Sequence, residues 1–276
     1  MDGQPTSSDQ TVRATPEMSR VFSFWIAHRV ELAGLLGQHV MLVGASTVAA
    51  VAMGVPLGIF SALYRDGPID HLARLVSLIG VSIPIFWLAA VSLVIFYATL
   101  QIAVGPGRLG PGLSSPPPVT GLYTVDALLA GDTATFRSAL EHLVLPGVVL
   151  GSSVMGLITR VTRSSMLEVL GQDYVRTARA KGLIEHTVVI RHALRNALIP
   201  TVTVLGLAFG SLLSGAVMTE TIFAWPGLGR YAYQAAVSND FPSIMGVTFV
   251  IALMYIVVNL AVDLTYALLD PQIRYA

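Results

Sequence analysis

Five stretches of the chain are apolar without interruption and without alternation. Residues 40–63 and 75–100 contain no charge, residues 143–159 run charge-free up to Arg160 and Arg163, residues 197–219 up to Glu220, and residues 241–262 up to Asp263. A helix needs about 20 apolar residues to cross about 30 Å of hydrocarbon. Membrane strands would alternate in polarity, and these runs do not. The pattern therefore predicts about five transmembrane helices in an all-α bundle. Residues 21–38 form a sixth apolar stretch, but His28, Arg29 and Glu31 lie at its centre. Charges at mid-bilayer are costly, so an amphipathic helix at the interface is the expected form, a span the alternative. Residues 1–39 are accordingly read as a polar arm with an interfacial helix, and residues 40–276 as the membrane domain.

Within the runs, small residues recur at intervals of four. Ala50, Gly54, Gly58 and Ala62 form one stripe, Gly147 and Gly151 a second, and Gly206, Gly210 and Ser214 a third. Such stripes let helix backbones approach closely in lipid, although glycine is common in membrane helices in any case. Pro56, Pro84 and Pro146 fall inside runs and are expected to kink them. Residues 105–120, with Pro116, Pro117 and Pro118, read as an irregular loop.

Composition agrees with the pattern. Of 276 residues, 54% are hydrophobic and only 12% charged, too few to cover a soluble globule. The formal net charge of zero gives no global basic field for nucleic acid. The absence of cysteine removes disulfides, thiol catalysis and cysteine metal sites. The first twenty residues show no secretory leader pattern, so insertion is expected to rest on internal helices.

Basic residues orient the bundle. Seven of the 16 lie between Arg160 and Arg195, against the acids Glu168, Asp173 and Glu185. That loop is expected to be cytoplasmic. Alternation then places Arg65, Arg74 and Arg274 inside, and residues 1–39, 101–142 and 221–240 outside.

The loop has internal order. Leu167, Leu170, Tyr174 and Ala178 recur at helical spacing, Gly182 is a helix-stop signal, and Val189, Ala193 and Ala197 share one face of a second helical stretch, with Arg191 and Arg195 on another. A helix, a glycine break and a second helix on the basic side suit docking of a cytosolic partner. The competing reading is an amphipathic stretch resting on anionic lipid headgroups.

The run Tyr174-Val-Arg-Thr-Ala-Arg-Ala-Lys-Gly182, followed by Arg191-His-Ala-Leu-Arg-Asn-Ala-Leu-Ile-Pro200, resembles the coupling-loop signature of ATP-binding-cassette importer permeases. The wording is similar to the dipeptide/oligopeptide/nickel branch, and within it to the first of two permease subunits. Ser82-Ile-Pro-Ile-Phe-Trp87, Glu220-Thr-Ile-Phe-Ala-Trp-Pro-Gly-Leu-Gly229 and Asp270-Pro-Gln-Ile-Arg-Tyr275 match further motifs of that pattern in order. The resemblance covers residues 40–276. It departs where the general importer signature has acidic-Ala-Ala and this chain has Arg176, Thr177 and Ala178. Members of the family also usually begin with an extra membrane helix, which is not read here.

The resemblance implies a type I importer permease fold and a subunit that performs no chemistry. Its partners would be a second permease, two cytoplasmic ATPases that bind ATP and Mg, and an extracytoplasmic substrate-binding protein. It would sit in the inner membrane of a bacterium and carry peptides, or alternatively nickel or another small solute. Within the coupling loop, residues 164–197, Asp173, Tyr174, Arg176, Arg179 and Lys181 would face the ATPase. Ala178 and Ala180 would allow close approach, and Gly182 would permit the turn. Glu220 and Pro84 are candidates for the pathway or gate, the alternative for Glu220 being an acid in water at a span's outer end. Asp263 is expected to have a structural partner, Arg274.

Two other classes fare worse. An intramembrane serine hydrolase needs a buried Ser–His pair. Serines such as Ser152 and Ser153 lie in spans, but His28, His39, His71, His142, His186 and His192 all fall at span ends or in loops. An ion-coupled transporter usually carries mid-membrane charge or inverted repeats, and neither is evident. No His-Glu-x-x-His run supports a metal centre.

Overall fold

The computed structural model describes residues 8–269. The proposed Asp263–Arg274 partnership and the tail motif at residues 270–275 lie outside the described residues. Among the described residues ten α-helices follow in order: α1 Ser8–Leu63, α2 Pro68–Ser82, α3 Ile85–Ser92, α4 Tyr123–Leu129, α5 Thr133–Leu170, α6 Asp173–Ala180, α7 Glu185–Thr187, α8 Arg195–Ile222, α9 Leu228–Val237 and α10 Phe241–Leu269. Two wide-turn segments, Leu93–Thr99 and Val188–Leu194, extend α3 and lead into α8. Ser23–Leu63, Thr133–Leu170, Glu185–Leu213 and Phe241–Ala261 are long and apolar enough to cross a membrane.

The fifth predicted span is broken. Pro68–Ser82 and Ile85–Thr99 meet at 105°. A proline forces the residue before it out of the helical region, and Ile83 is extended at φ −80°, ψ 128°. Pro84 is thus a break rather than the mild kink expected.

Two further boundaries differ from the sequence reading. Residues 21–38 and 40–63 belong to one continuous helix, α1. The residues that argued for an interfacial helix find places on that rod: Arg29 and Glu31 are exposed, while Leu32 packs with Leu228 and Val247. α5 also overruns its apolar core at both ends. Asp132 caps its start by accepting from the Thr135 N–H at 3.0 Å, and the helix ends only at Gly171.

The small-residue stripes act where α1 crosses α5. A β-carbon on Gly58 would lie 2.6 Å from Thr162 Cβ and 2.8 Å from the Thr159 carbonyl oxygen, and one on Gly151 would overlap the Ser46 carbonyl oxygen. Gly156 and Gly80 bring α5 equally close to α2, at Ser77 and Ser152. Gly210 approaches Tyr255 of α10. The core formed around these crossings contains Leu42, Val43, Leu150, Ile158, Leu213 and Trp225. Introducing leucine at Gly58 or Gly151 is expected to cost about 1–3 kcal/mol through overpacking, read as a lower thermal midpoint in detergent. The same change at Gly34 or Gly44, where nothing lies within 4 Å, should leave the midpoint unchanged.

The irregular segment before α4 is tied down by Asp126. Its buried carboxylate accepts from the Thr120 hydroxyl and N–H, both at 2.7 Å, and from the Gly121 N–H at 3.0 Å. Burial works against its charge, but these donors outweigh it and hold the carboxyl below its ordinary range.

Candidate functional site

Three places concentrate polar chemistry: the basic segment around α6, a buried carboxylate where the C-terminal end of α1 meets α2 and α5, and a second buried carboxylate beside the middle of α1.

The basic segment is a small folded unit. The predicted stripe through Leu167, Leu170, Tyr174 and Ala178 is divided, because α5 stops at Gly171 and α6 restarts at Asp173. α6 turns Val175 and Ala178 inward onto Val188, Val169 and Leu170. Ala178 is therefore buried within the chain, whereas Ala180 is exposed. The opposite face is polar. Asp173 and Arg176 stand in solvent and pair at 3.3 Å, and Arg179 forks onto Glu185 at 2.6 and 3.1 Å. Lys181 is exposed, and Gly182 turns the chain at φ +77°, a left-handed conformation that side-chain-bearing residues rarely adopt. Leu183 and Ile184 follow, 41% and 70% exposed. These two apolar side chains had no role in the sequence reading.

The unit is fastened to two long helices. The Tyr174 hydroxyl accepts from Asn196 Nδ2 at 2.7 Å. Val189, Ala193 and Ala197 share a face, as the periodicity predicts, and pack with Met166 of α5 and Ala62 of α1. A displacement of α6 thus bears directly on α5 and α8.

The first carboxylate is Asp70, fully buried and bound by six hydrogen bonds. Arg163 gives two, both 2.8 Å, and Arg74 two, at 2.5 and 3.1 Å. The Ser61 hydroxyl donates at 2.5 Å and the Asp66 N–H at 2.9 Å. One side chain therefore holds together α1, the α1–α2 turn, α2 and α5. Sequence reasoning gave Asp70 no role. The available signal was an aspartate four residues before an arginine at the edge of an apolar run.

The second carboxylate is Glu220, which is fully buried and so does not sit in water. Its Oε1 lies 2.6 Å from His39 Nδ1, and its Oε2 accepts the Arg230 N–H at 2.9 Å. The turn after α8 folds over it: the Trp225 N–H donates to the Glu220 carbonyl at 2.8 Å, and the Trp225 indole donates to the Gln38 carbonyl at 3.1 Å. Gly227 and Gly229 pass so close to the carboxylate that β-carbons there would collide with it. The other pathway candidate, Pro84, is exposed at the bend between α2 and α3. The structure does not bring Glu220 and Pro84 into contact with the α6 unit.

This arrangement of broken and crossing helices around a folded basic unit is that of a transport permease. Residues 54–275 match the family of binding-protein-dependent transport system inner membrane components, and the chain belongs to that family. The chain is 50% identical over 224 residues to the probable D,D-dipeptide transport system permease protein DdpB of Escherichia coli (strain K12), covering 81% of this chain and 66% of that protein. It is 44% identical over 230 residues to the dipeptide transport system permease protein DppB of the same strain, covering 83% and 68%. The matched region thus spans about two thirds of the length of these relatives. They are transport subunits rather than enzymes.

Solved structures agree on the fold. A methionine ABC transporter, MetNI, in inward-facing conformations superposes with a TM-score of 0.62 at 16% identity, covering 87% of this chain and 96% of that one. An amino acid ABC transporter with histidines gives 0.55 at 14% identity, covering 95% and 98%.

Proposed function

We propose that this chain is one of two membrane subunits forming the pathway of an ATP-driven importer of short peptides. The observation that carries the reading is the α6 unit: a buried apolar face holds it rigid, while a charged face and an uncovered Leu183–Ile184 tip point away from the bundle. In this reading Asp173, Tyr174, Arg176, Arg179, Ala180, Lys181 and Gly182 meet a cytoplasmic ATPase, and Leu183 and Ile184 fill an apolar groove on it. Ala178 acts from beneath, by packing. ATP and Mg bind in the partner ATPases, one under each permease, and an extracytoplasmic binding protein delivers the substrate. The peptide assignment rests on the dipeptide transport named for the relatives above, and nickel or another small solute is the alternative.

Mechanically, closure of the ATPases would push α6. Because α6 is fixed to Leu170 at the end of α5 and to Asn196 at the start of α8, the push reaches two long helices together. A rigid element driven between two positions is what switching of a pathway requires. Glu220 serves here as the lock of the outer turn and Pro84 as the bend of the second span.

Purification of the tagged chain in mild detergent from its native membranes tests the assignment. A second permease and ATPase subunits are expected in the eluate, and recovery of the chain alone from intact membranes would count against it. A finer check is Gly182→Val. The space around Gly182 is open, so the substitution acts through left-handed backbone strain of about 1–2 kcal/mol. Peptide uptake is expected to fall while the amount of protein in the membrane stays constant. Normal uptake would remove the turn from the mechanism.

A further inference from the structure

A cavity of about 490 Å³ opens between the inner ends of α1, α2 and α5, lined among others by Ser61, Arg74, Ser77, Thr159, Arg160 and Arg163. Three guanidinium groups face it and one carboxylate, Asp70, stands against them. Asp66 also reaches Arg74, at 3.4 Å, but is matched by Arg65 at 3.2 Å. The lining therefore carries an excess of two positive charges. Arg163 spends two of its five N–H donors on Asp70, and no carboxylate among the described residues reaches Arg160. Hydroxyls add further polarity, yet those of Ser77 and Thr159 already donate to carbonyls of their own helices. They remain available as acceptors, and the arginines supply the free donors.

Position narrows the ligand. Ser61 follows His39 by 22 residues on one continuous helix, about 33 Å at 1.5 Å per residue. That matches the thickness of the hydrocarbon layer, and the apolar run of α5 ends at this level in Arg160 and Arg163, so the cavity lies at the depth of one headgroup layer. Towards the apolar run of α5 its wall continues along α2 into Leu78, Ile79 and Val81, which are 46–59% exposed. An anion-binding head beside an exposed apolar strip fits a molecule with a phosphate at one end and hydrocarbon at the other.

We propose that this cavity binds the phosphate headgroup of an anionic phospholipid, with Arg160 and Arg163 as donors and the acyl chains along α2. A basic pocket between helix ends has the chemistry for such a headgroup. Asp70 holds Arg163 and Arg74 at the rim, so the site exists before the lipid arrives. The proposal does not depend on the transported substrate.

Native mass spectrometry of the full chain in a neutral detergent tests it. The probes are phosphatidylglycerol, phosphatidylcholine, glycerol 3-phosphate and inorganic phosphate, added separately. Phosphatidylglycerol is expected to remain bound in preference to phosphatidylcholine. Arg160→Gln is expected to weaken it about fivefold, the worth of one interfacial arginine, and Ser164→Glu, at an exposed position on the cavity lining, by at least as much. The thermal midpoint without lipid should not change in either variant. Unchanged phosphatidylglycerol binding in both variants would overturn the proposal. So would equal binding of glycerol 3-phosphate or inorganic phosphate, which would make the cavity a free-anion site. Displacement of the lipid by a dipeptide would likewise overturn it, making the cavity part of the substrate route.

Discussion

Gly227→Ala is expected to unfold the outer turn and to cost the protein about 3 kcal/mol or more. The backbone at Gly227 is extended, φ −116° and ψ 175°, so alanine meets no conformational penalty. The cost is steric, because the new methyl group would occupy the space of the Glu220 carboxylate. That carboxylate cannot swing aside into water, since it is fully buried and bound on both oxygens by His39 and Arg230. Overpacking alone costs about 1–3 kcal/mol. Breaking the carboxylate's buried hydrogen bonds to His39 and the Arg230 N–H adds more. The readout is the thermal midpoint in detergent together with the steady-state amount in the membrane. A double variant with Glu220→Ala should be less destabilised than the sum of the two single changes, because the clash and the carboxylate disappear together. Strict additivity would show that Gly227 and Glu220 do not constrain each other.

Asp70→Ala is expected to have an effect of similar size near the C-terminal end of α1. It removes the acceptor for six hydrogen bonds and leaves two guanidinium groups facing each other. Arg74 is half exposed and can turn to solvent, so its share is small. Arg163 is only 21% exposed, and stranding a mostly buried charge costs about 3–5 kcal/mol. Asp70→Asn should recover part of the loss by keeping one acceptor oxygen. Limited proteolysis at the α1–α2 turn should accelerate in Asp70→Ala, since the Asp66 N–H also loses its partner. A midpoint within a degree or two of the parent would mean that the arginines find other partners.

How much of this was legible in the sequence depended on the range of the interaction. The apolar runs located the long helices, because burial in lipid is written residue by residue. The stripes Ala50-Gly54-Gly58-Ala62 and Gly147-Gly151 announced close contacts, since a period of four is local to a helix. That these two stripes meet each other was not written in either. Pro84 signalled a disturbance, but a 105° bend rather than a kink depends on what the two halves pack against. α6 was visible as a helix ending at Gly182, although Gly171 was passed over as a boundary. The two carboxylate hubs were the least legible. Glu220 meets His39 across 181 residues and Asp70 meets Arg163 across 93, so each pairing exists only once the chain has folded. Glu220 drew notice because it ended an apolar run, whereas Asp70 lay where a charge raised no question.

The length of α1 has a mechanical consequence. Its apolar portion, Ser23–Leu63, runs for 41 residues, about 61 Å, or twice the thickness of the layer it crosses. Within it the His39 contact to Glu220 lies near the middle and the Ser61 contact to Asp70 near the C-terminal end, and from Ala45 to Gly58 the helix lies against α5. A rod clamped along that much of its length is a strut rather than a lever. A push on the corner at Asp70 would therefore be carried along it to the turn over Glu220 rather than absorbed between them.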